Sequence, residues 1–225
     1  MTGLRPARAQ SLPNRSRSTT SAGGLGYLVA AVLQLLADAR VVLPSVPEWI
    51  TPGWQLLGWL LSGLVLLGAS VVLAVGRLGE AGVVAPRRWP KAALAASGTG
   101  SLLLVLVSVL TFATGLSSGA GTVVALVIGQ LLICVTSVAA AVAVIREGVL
   151  TGAARWAFLA PAAVDAVAVV LALSSSGRDV FLVFVVVARP VAVAAVGATL
   201  VAHVRRPEQS GAGAMTTKRS HRPPV

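Results

Sequence analysis

Long apolar runs restrict what this chain can fold into more than any other feature of its sequence. Roughly 20 apolar residues in a helix cross the ~30 Å hydrocarbon core of a bilayer. Six runs of about this length occur, at residues 25–43, 54–75, 92–114, 122–145, 156–174 and 180–202. Lipid offers the backbone no hydrogen bonds, so runs of this kind fold as helices, whereas strands of a membrane barrel would alternate in polarity. The sequence predicts an all-α, polytopic transmembrane bundle of six spans over residues 25–202.

The basic residues are concentrated in alternate connections. They occupy both terminal segments, the connection after the second run and the flanks of the connection after the fourth. The connections PSVPEWITPG and GLSSGAG contain none, and SSSGRD has Arg178 next to Asp179. By the positive-inside rule, this asymmetry predicts that both termini lie in the cytoplasm. The net charge of +11 is therefore interpreted as a topology signal, and no nucleic-acid partner is expected.

The two terminal segments, residues 1–24 and 203–225, are rich in Arg, Ser, Thr, Gly and Pro. Such segments bury too little apolar surface to fold, so both are predicted to be disordered basic tails. The first apolar run also allows a second interpretation, because LADA at residues 36–39 fits the small-x-small pattern of signal-peptide cleavage. Cleavage after Ala39 would remove this span. The leader is long for a signal peptide and the apolar run continues to Leu43, so a retained first span is favoured.

Residues that carry metal, cofactor or nucleophilic chemistry are scarce. The single cysteine, Cys134, lies within the fourth run, and the two histidines, His203 and His221, lie in the C-terminal part of the chain. A lone thiol makes neither a disulfide nor a thiolate metal site, and two separate histidines make no HExxH motif. No glycine-rich phosphate loop is present, and the Ser and Cys residues lack a neighbouring base. The sequence predicts no metal, no cofactor and no enzymatic activity.

Charged residues interrupt the last two runs, where they need an explanation. The stretch FVVVARPVAV, residues 184–193, places Arg189 inside an apolar run, and Asp165 lies inside the preceding one. The short SSSGRD connection makes these spans adjacent and antiparallel, and each charge lies about 13 Å from the end of its span, close to the midplane. A lone charge at that depth costs at least about 2.5 kcal/mol. Asp165 and Arg189 are therefore predicted to form an ion pair.

Two further features complete the candidate polar core. Pro190 has no N–H to donate to the carbonyl of Val186, so a kink is predicted beside Arg189, and broken helices with midplane charges are typical of transporter sites. In the first run Tyr27, Gln34 and Asp38 follow a heptad-like spacing that places them on one helix face. Gln34 is interpreted as an interhelical hydrogen-bonding residue, and the role of Asp38 stays open.

The third and fourth runs carry Ser, Thr, Gln and Cys side chains at helical spacing. These are Ser97, Ser101, Ser108 and Thr111 in the third run and Gln130, Cys134 and Ser137 in the fourth. Small and weakly polar residues in such rows let helices approach closely, so the rows are predicted to be packing surfaces, with walls of a narrow polar path as the alternative.

Two functions fit these features. The first is a small transporter or ion-conducting unit, or a membrane subunit of one, with Asp165, Arg189, Asp38 and Gln34 as its polar core. The alternative is an accessory or scaffold membrane protein whose polar residues serve helix packing and assembly. Membrane lipids are expected partners, together with a protein partner or a second copy of the chain. The excess of arginine over lysine and the abundance of Ala, Val, Gly and Leu favour a bacterial plasma membrane.

Overall fold

The computed structural model of the protein describes residues 17–39, 52–76, 82–84, 87–114, 120–147, 150, 152–173 and 178–205. These residues form helices α1 (Arg17–Ala37), α2 (Pro52–Val75), α3 (Arg88–Ala113), α4 (Ala120–Glu147), α5 (Ala153–Trp156), α6 (Leu159–Leu173) and α7 (Arg178–Arg205). No strand occurs within these ranges. Six helical segments, with α5 and α6 counted together, are long and apolar enough to cross a membrane. The prediction of an all-α fold with six helices long and apolar enough to span a membrane is confirmed. Most of the two predicted tails, residues 1–16 and 206–225, lies outside the described residues.

The first helix begins earlier than the first apolar run, at Arg17 rather than at residue 25. Its first turns contain small and hydroxyl residues, and Thr19 and Thr20 are buried. A Cβ added at Gly24 would lie 2.9 Å from Leu200 Cβ, so this part of α1 is packed directly against α7. Helical structure here depends on tertiary packing rather than on hydropathy, which explains why the apolar pattern does not reveal it.

The long helices form a closed ring in which neighbours in the sequence are neighbours in space. In order around the ring they are α1, α2, α3, α4, α6 and α7, and α7 returns to pack against α1. The last contact is very close: a Cβ added at Gly197 would lie 2.6 Å from the carbonyl oxygen of Gly24 and 2.8 Å from the backbone nitrogen of Leu28. Small residues permit such backbone approach between membrane helices, and here they close the ring.

The outer surface of the ring is apolar. On α3 the exposed residues Leu103, Leu106 and Leu110 recur at the spacing of one helix face. The other long helices likewise expose large apolar side chains, including Leu64, Ile128, Val135, Val170 and Val191. A contiguous surface of this kind is stable against lipid and unstable against water, in agreement with a membrane-spanning bundle.

The fifth span is broken near its start. Helix α5 ends at Trp156, a turn follows at residues 157–158, and α6 begins at Leu159. Pro161 explains the break, because it has no N–H to donate to the carbonyl of Ala157. That carbonyl instead accepts a shorter-range hydrogen bond of 3.1 Å from the backbone nitrogen of Ala160.

One end of the bundle is sealed by apolar packing. This end, called the basic end, is where α2 and α7 stop and α3 begins; it carries Arg88 and Arg205. The short segment 82–84 folds back onto α2 there, and the backbone nitrogen of Val83 donates to Leu73 O over 2.8 Å. The residues around it are almost fully buried: Leu73, Val83, Val84, Leu94, Val144, Leu150, Phe158 and Leu200.

The half of the bundle away from the basic end is packed less tightly. Among the described residues, none of 53–61 in α2 and none of 102–111 in α3 is buried. Residues 102–111 of α3, which continue the helix from Ser101 away from the basic end, are therefore at most partly covered by neighbouring helices. A continuous apolar core thus occupies the half of the bundle at the basic end.

Candidate functional site

The central polar feature of the bundle is the ion pair between Asp165 on α6 and Arg189 on α7. Arg189 Nε lies 3.3 Å from Asp165 Oδ1. Both side chains are buried, with 1% of Asp165 and 6% of Arg189 exposed. The prediction that these residues pair inside the span is confirmed. Asp165 Oδ1 accepts no hydrogen bond from any described group, so its contact with Arg189 is electrostatic rather than a well-aligned hydrogen bond.

Two serines, on α3 and α4, complete the site. Ser137 of α4 donates to Asp165 Oδ2 over 2.7 Å. Arg189 Nη2 donates to Ser101 Oγ of α3 over 3.0 Å, and that hydroxyl donates in turn to Ser97 O over 3.0 Å. The ion pair is therefore surrounded by groups from four helices. Each charge has a neutral hydrogen-bonding partner besides its counter-ion, which offsets part of the cost of burial.

A small cavity adjoins the ion pair. Its volume is about 20 Å³, measured as the space open to the centre of a water-sized sphere. The polar residues at its wall are Tyr27, Ser97, Ser101, Ser137, Asp165 and Arg189. Leu66, Phe158, Pro161 and Val193 are among its apolar walls. A cavity needs about 10–15 Å³ by this measure to hold one water, so this one can hold water beside the carboxylate.

Tyr27 extends the polar site toward α1 and α2. Its hydroxyl lies 3.0 Å from Ser70 Oγ, and either group can donate. The Tyr27 ring meets Phe158 edge to face, with centroids 5.9 Å apart. Phe158 lies in the turn that precedes α6, so the break in the fifth span places an aromatic ring against Tyr27 and beside the cavity. Edge-to-face pairs of this kind fix the orientation of a tyrosine hydroxyl.

Asp38 and Gln34, the other two predicted members of the polar core, lie elsewhere. Asp38 is buried just beyond α1, where Trp59 Nε1 donates to its Oδ1 over 2.7 Å. Gln34 is partly buried one turn earlier, and its carbonyl accepts from the Asp38 backbone nitrogen over 3.0 Å. Neither side chain lines the cavity beside Asp165. Their participation in binding stays a prediction.

Gln130 is a second polar residue inside the bundle. It is buried on α4, and its Nε2 has no hydrogen-bond partner among the described residues. Gln130 and Ser137 share one helix face, with Gln130 about 10 Å farther from the basic end. Buried amide donors without a partner are costly, so this residue marks polar character in the less tightly packed half of the bundle.

The serine partners of the ion pair were predicted as packing residues, with a polar path as the alternative. The structure gives Ser101 and Ser137 direct contacts with the charges. Their depth could have indicated this, since both serines lie near the middle of their runs, at the level expected for Asp165. Tyr27 was predicted to lie on the polar face of the first span, but its contact with Ser70 needs the tertiary arrangement. The break at Pro161 is not among the sequence predictions, although a proline near the end of a span often marks a helix boundary.

The described ranges contain no group of three or more His, Cys, Asp or Glu side chains that could bind one metal ion together. Comparison of the chain with protein-family models, with curated proteins and with solved structures finds no match. The geometry of the site is therefore the basis for its interpretation. A buried carboxylate, a buried guanidinium and several hydroxyls around a water-sized cavity can all form hydrogen bonds with water.

Proposed function

We propose that this protein is a small transporter or ion-conducting unit, or the membrane subunit of one, and that the Asp165–Arg189 centre is its binding site. The observation that carries the proposal is the location of this ion pair. It lies inside the bundle, next to a cavity, with contacts from helices on opposite sides of the ring. Ionisable residues within membrane spans cost free energy to bury. They almost always face the bundle interior or a water-filled cavity, and they mark the pathways of substrates or ions.

The two prolines support this function. Pro161 breaks the fifth span and Pro190 lies inside α7 next to Arg189. The carbonyl of Val186 receives no hydrogen bond from residue 190, because proline has no N–H. Helices with such interruptions near buried charges form the sites of many transporters, since they supply free backbone groups and points of bending.

The packing of the bundle supports access from one side. Apolar residues around Val83 and Leu150 seal the basic end, whereas the opposite half has polar interior residues and less burial. We propose that the basic end is closed in this conformation. With the positive-inside rule, the basic end and both termini are cytoplasmic, and the less tightly packed half of the bundle faces the outside of a bacterial plasma membrane.

Liposome reconstitution of the purified full-length protein tests this proposal. The wild type is compared with a neutral double variant, Asp165→Asn with Arg189→Gln, for flux of protons, monovalent cations and small anions under an imposed membrane potential. We expect one of these fluxes in the wild type and its loss in the double variant. Equal fluxes in both preparations and in protein-free liposomes would contradict a transport role that the chain performs alone.

A scaffold function is the second candidate, and one specific observation favours it. The charges of Asp165 and Arg189 neutralise each other, and both side chains also have serine partners inside the bundle. A pair that is satisfied in this way can serve only to fix the order of helices in the ring. In that case the neutral double variant folds and keeps the function of the wild type, including capture of any protein partner.

A further inference from the structure

The size of the cavity beside Asp165 restricts what it can hold. Its volume of about 20 Å³ exceeds the 10–15 Å³ or so that one water needs by this measure. Sites for organic ligands have volumes of roughly 300–1,000 Å³. In this conformation, water and species of similar size fit the cavity, whereas an organic solute does not.

The polar atoms around the cavity suit water. Asp165 Oδ1 is a buried acceptor without a hydrogen bond, although Arg189 Nε lies 3.3 Å away. Tyr27 also lines the cavity, and its hydroxyl can donate or accept a hydrogen bond. A buried water makes about three hydrogen bonds to such groups. Water in the cavity would therefore hydrogen-bond to Asp165 and Tyr27 together.

The charges around the cavity discriminate between small ions. A metal cation next to Asp165 would also lie next to the guanidinium of Arg189, which repels it. A small anion next to Arg189 would be repelled by the carboxylate in the same way. A proton is also repelled by Arg189, but it forms a covalent bond to the carboxylate oxygen and needs no coordination shell, which a cavity of this size cannot supply to a metal ion. The covalent bond and the small size of the cavity together favour a proton over the other small ions.

We propose that Asp165 is a proton-binding site supplied through water in this cavity, and that the proton is the species handled by the transport function proposed above. This inference rests on that proposed function for the fate of the proton, but not for its binding. In the binding step, a hydronium ion in the cavity gives its proton to Asp165 Oδ1. The carboxylate becomes a neutral carboxylic acid, and one water remains.

Proton binding changes the contacts of Arg189. Once Asp165 is neutral, the guanidinium keeps Ser101 as an acceptor, and the carbonyl of Val186, to which Pro190 cannot donate, lies one turn earlier on the same helix. The attraction between α6 and α7 weakens, and the Pro190 region of α7 is the place where a change in helix direction costs least. Proton binding is thereby coupled to movement of α7 relative to α6.

The titratable groups that face Asp165 come from three helices. Within the described residues these are Arg189 on α7, Tyr27 on α1 and Cys134 on α4, which lies within electrostatic range of the carboxylate. Arginine, tyrosine and cysteine side chains have no carboxyl group. A carboxyl signal from this part of the structure is therefore assigned to Asp165.

Infrared difference spectroscopy of the full-length protein in liposomes tests the inference. Lowering the pH should produce the carbonyl band of a protonated carboxyl group. All seven Asp and Glu residues can contribute to this band, so Asp165 is identified by difference. We expect one component of the wild-type band to be missing in Asp165→Asn and retained in Asp38→Asn, the matched change at a second buried aspartate. If Asp165→Asn does not fold, the neutral double variant Asp165→Asn with Arg189→Gln takes its place. Tyr27→Phe keeps the ring contact with Phe158 and should shift the band, because the water loses one partner.

Two results would overturn the inference. One is a carboxyl band that persists unchanged when Asp165 is replaced, and the other is loss of the pH-dependent component in Asp38→Asn alone. These outcomes are separable from failure of the proposed function. Suppose that the wild type carries a flux of another ion, that the neutral double variant loses it, and that the wild-type carboxyl band has no Asp165 component. This result would support transport and contradict proton binding at Asp165. An Asp165 component in the wild-type band, together with full activity of the double variant, would support proton binding and contradict a role of the ion pair in transport.

Discussion

Arg189 meets Asp165 through its Nε atom, 3.3 Å from Oδ1, and this orientation leaves Nη2 free to donate to Ser101. The guanidinium thus bridges α6, its neighbour in the ring, and α3, which lies across the bundle interior. A lysine has one compact ammonium group and could not reach both partners in this geometry. The ion pair is consequently part of a network that spans the bundle rather than a contact between two adjacent helices.

This network predicts unequal effects of single and paired substitutions. Asp165→Asn leaves Arg189 buried without its counter-ion and should destabilise the protein by about 3–5 kcal/mol. The double change Asp165→Asn with Arg189→Gln removes both charges and should recover most of that loss. Thermal unfolding of detergent-solubilised protein measures both effects. A double variant no more stable than Asp165→Asn would show that the two charges do not compensate each other.

The close contact between α1 and α7 predicts that one added methyl group lowers the stability of the bundle. At Gly197 a Cβ would lie 2.6 Å from the carbonyl oxygen of Gly24, and backbone atoms cannot yield as a flexible side chain can. Gly197→Ala should therefore destabilise the bundle by about 1–3 kcal/mol. Gly68→Ala is the matched control, because a Cβ there would meet nothing within 4 Å. Equal unfolding temperatures for the two variants would contradict the close approach.

Much of the fold could be predicted from the sequence, for identifiable reasons. Long apolar runs have few stable structures in lipid, so the helices and their order followed directly. The pairing of Asp165 with Arg189 followed from depth and from the short connection between their spans. Such constraints hold for any membrane helix, whatever its tertiary packing.

The remaining features depend on how helices are arranged around the ring. Ser101 contacts Arg189 only because α3 faces α7 across the interior, and sequence proximity gives no sign of this. The helical start of α1 at Arg17 depends on burial of Thr19 and Thr20. Gln34 and Asp38 share a face with Tyr27, but that face contacts different partners along its length. A face assignment therefore predicted the orientation of these residues without predicting their neighbours.

The hydrogen bond from Trp59 to Asp38 predicts a difference between two tryptophans of α2. Trp59→Phe removes the donor and leaves the buried Asp38 carboxyl without it, which should destabilise the protein by about 1–3 kcal/mol. Trp54 is 60% exposed, so Trp54→Phe should change the free energy of unfolding little. Chemical unfolding followed by circular dichroism measures both. Gln55 is a second hydrogen-bond partner of Asp38, so an unchanged free energy of unfolding in Trp59→Phe would contradict a stabilising role for the Trp59 bond.

The proposed orientation is tested by the accessibility of single cysteines. In a Cys134→Ser background, a cysteine replacing Ser118 should react with a membrane-impermeant maleimide added outside intact cells. A cysteine replacing Arg87, an exposed residue at the basic end, should react only after the cells are opened. The reverse labelling pattern would show that the bundle has the opposite orientation in the membrane. In the same cells, an N-terminal tag lost from a product beginning at Arg40 would indicate cleavage of the first span.

The central claim is that the charges of Asp165 and Arg189 serve transport as well as stability. Complementation of a strain that lacks the gene, by the neutral double variant at wild-type abundance in the membrane, tests it most directly. A matched Ser108→Ala variant controls for general loss of interior polarity, since the Ser108 hydroxyl donates to Leu104 O on its own helix over 2.9 Å. We predict that Ser108→Ala complements and that the folded double variant does not. Full complementation by the double variant would contradict the claim and favour the scaffold function.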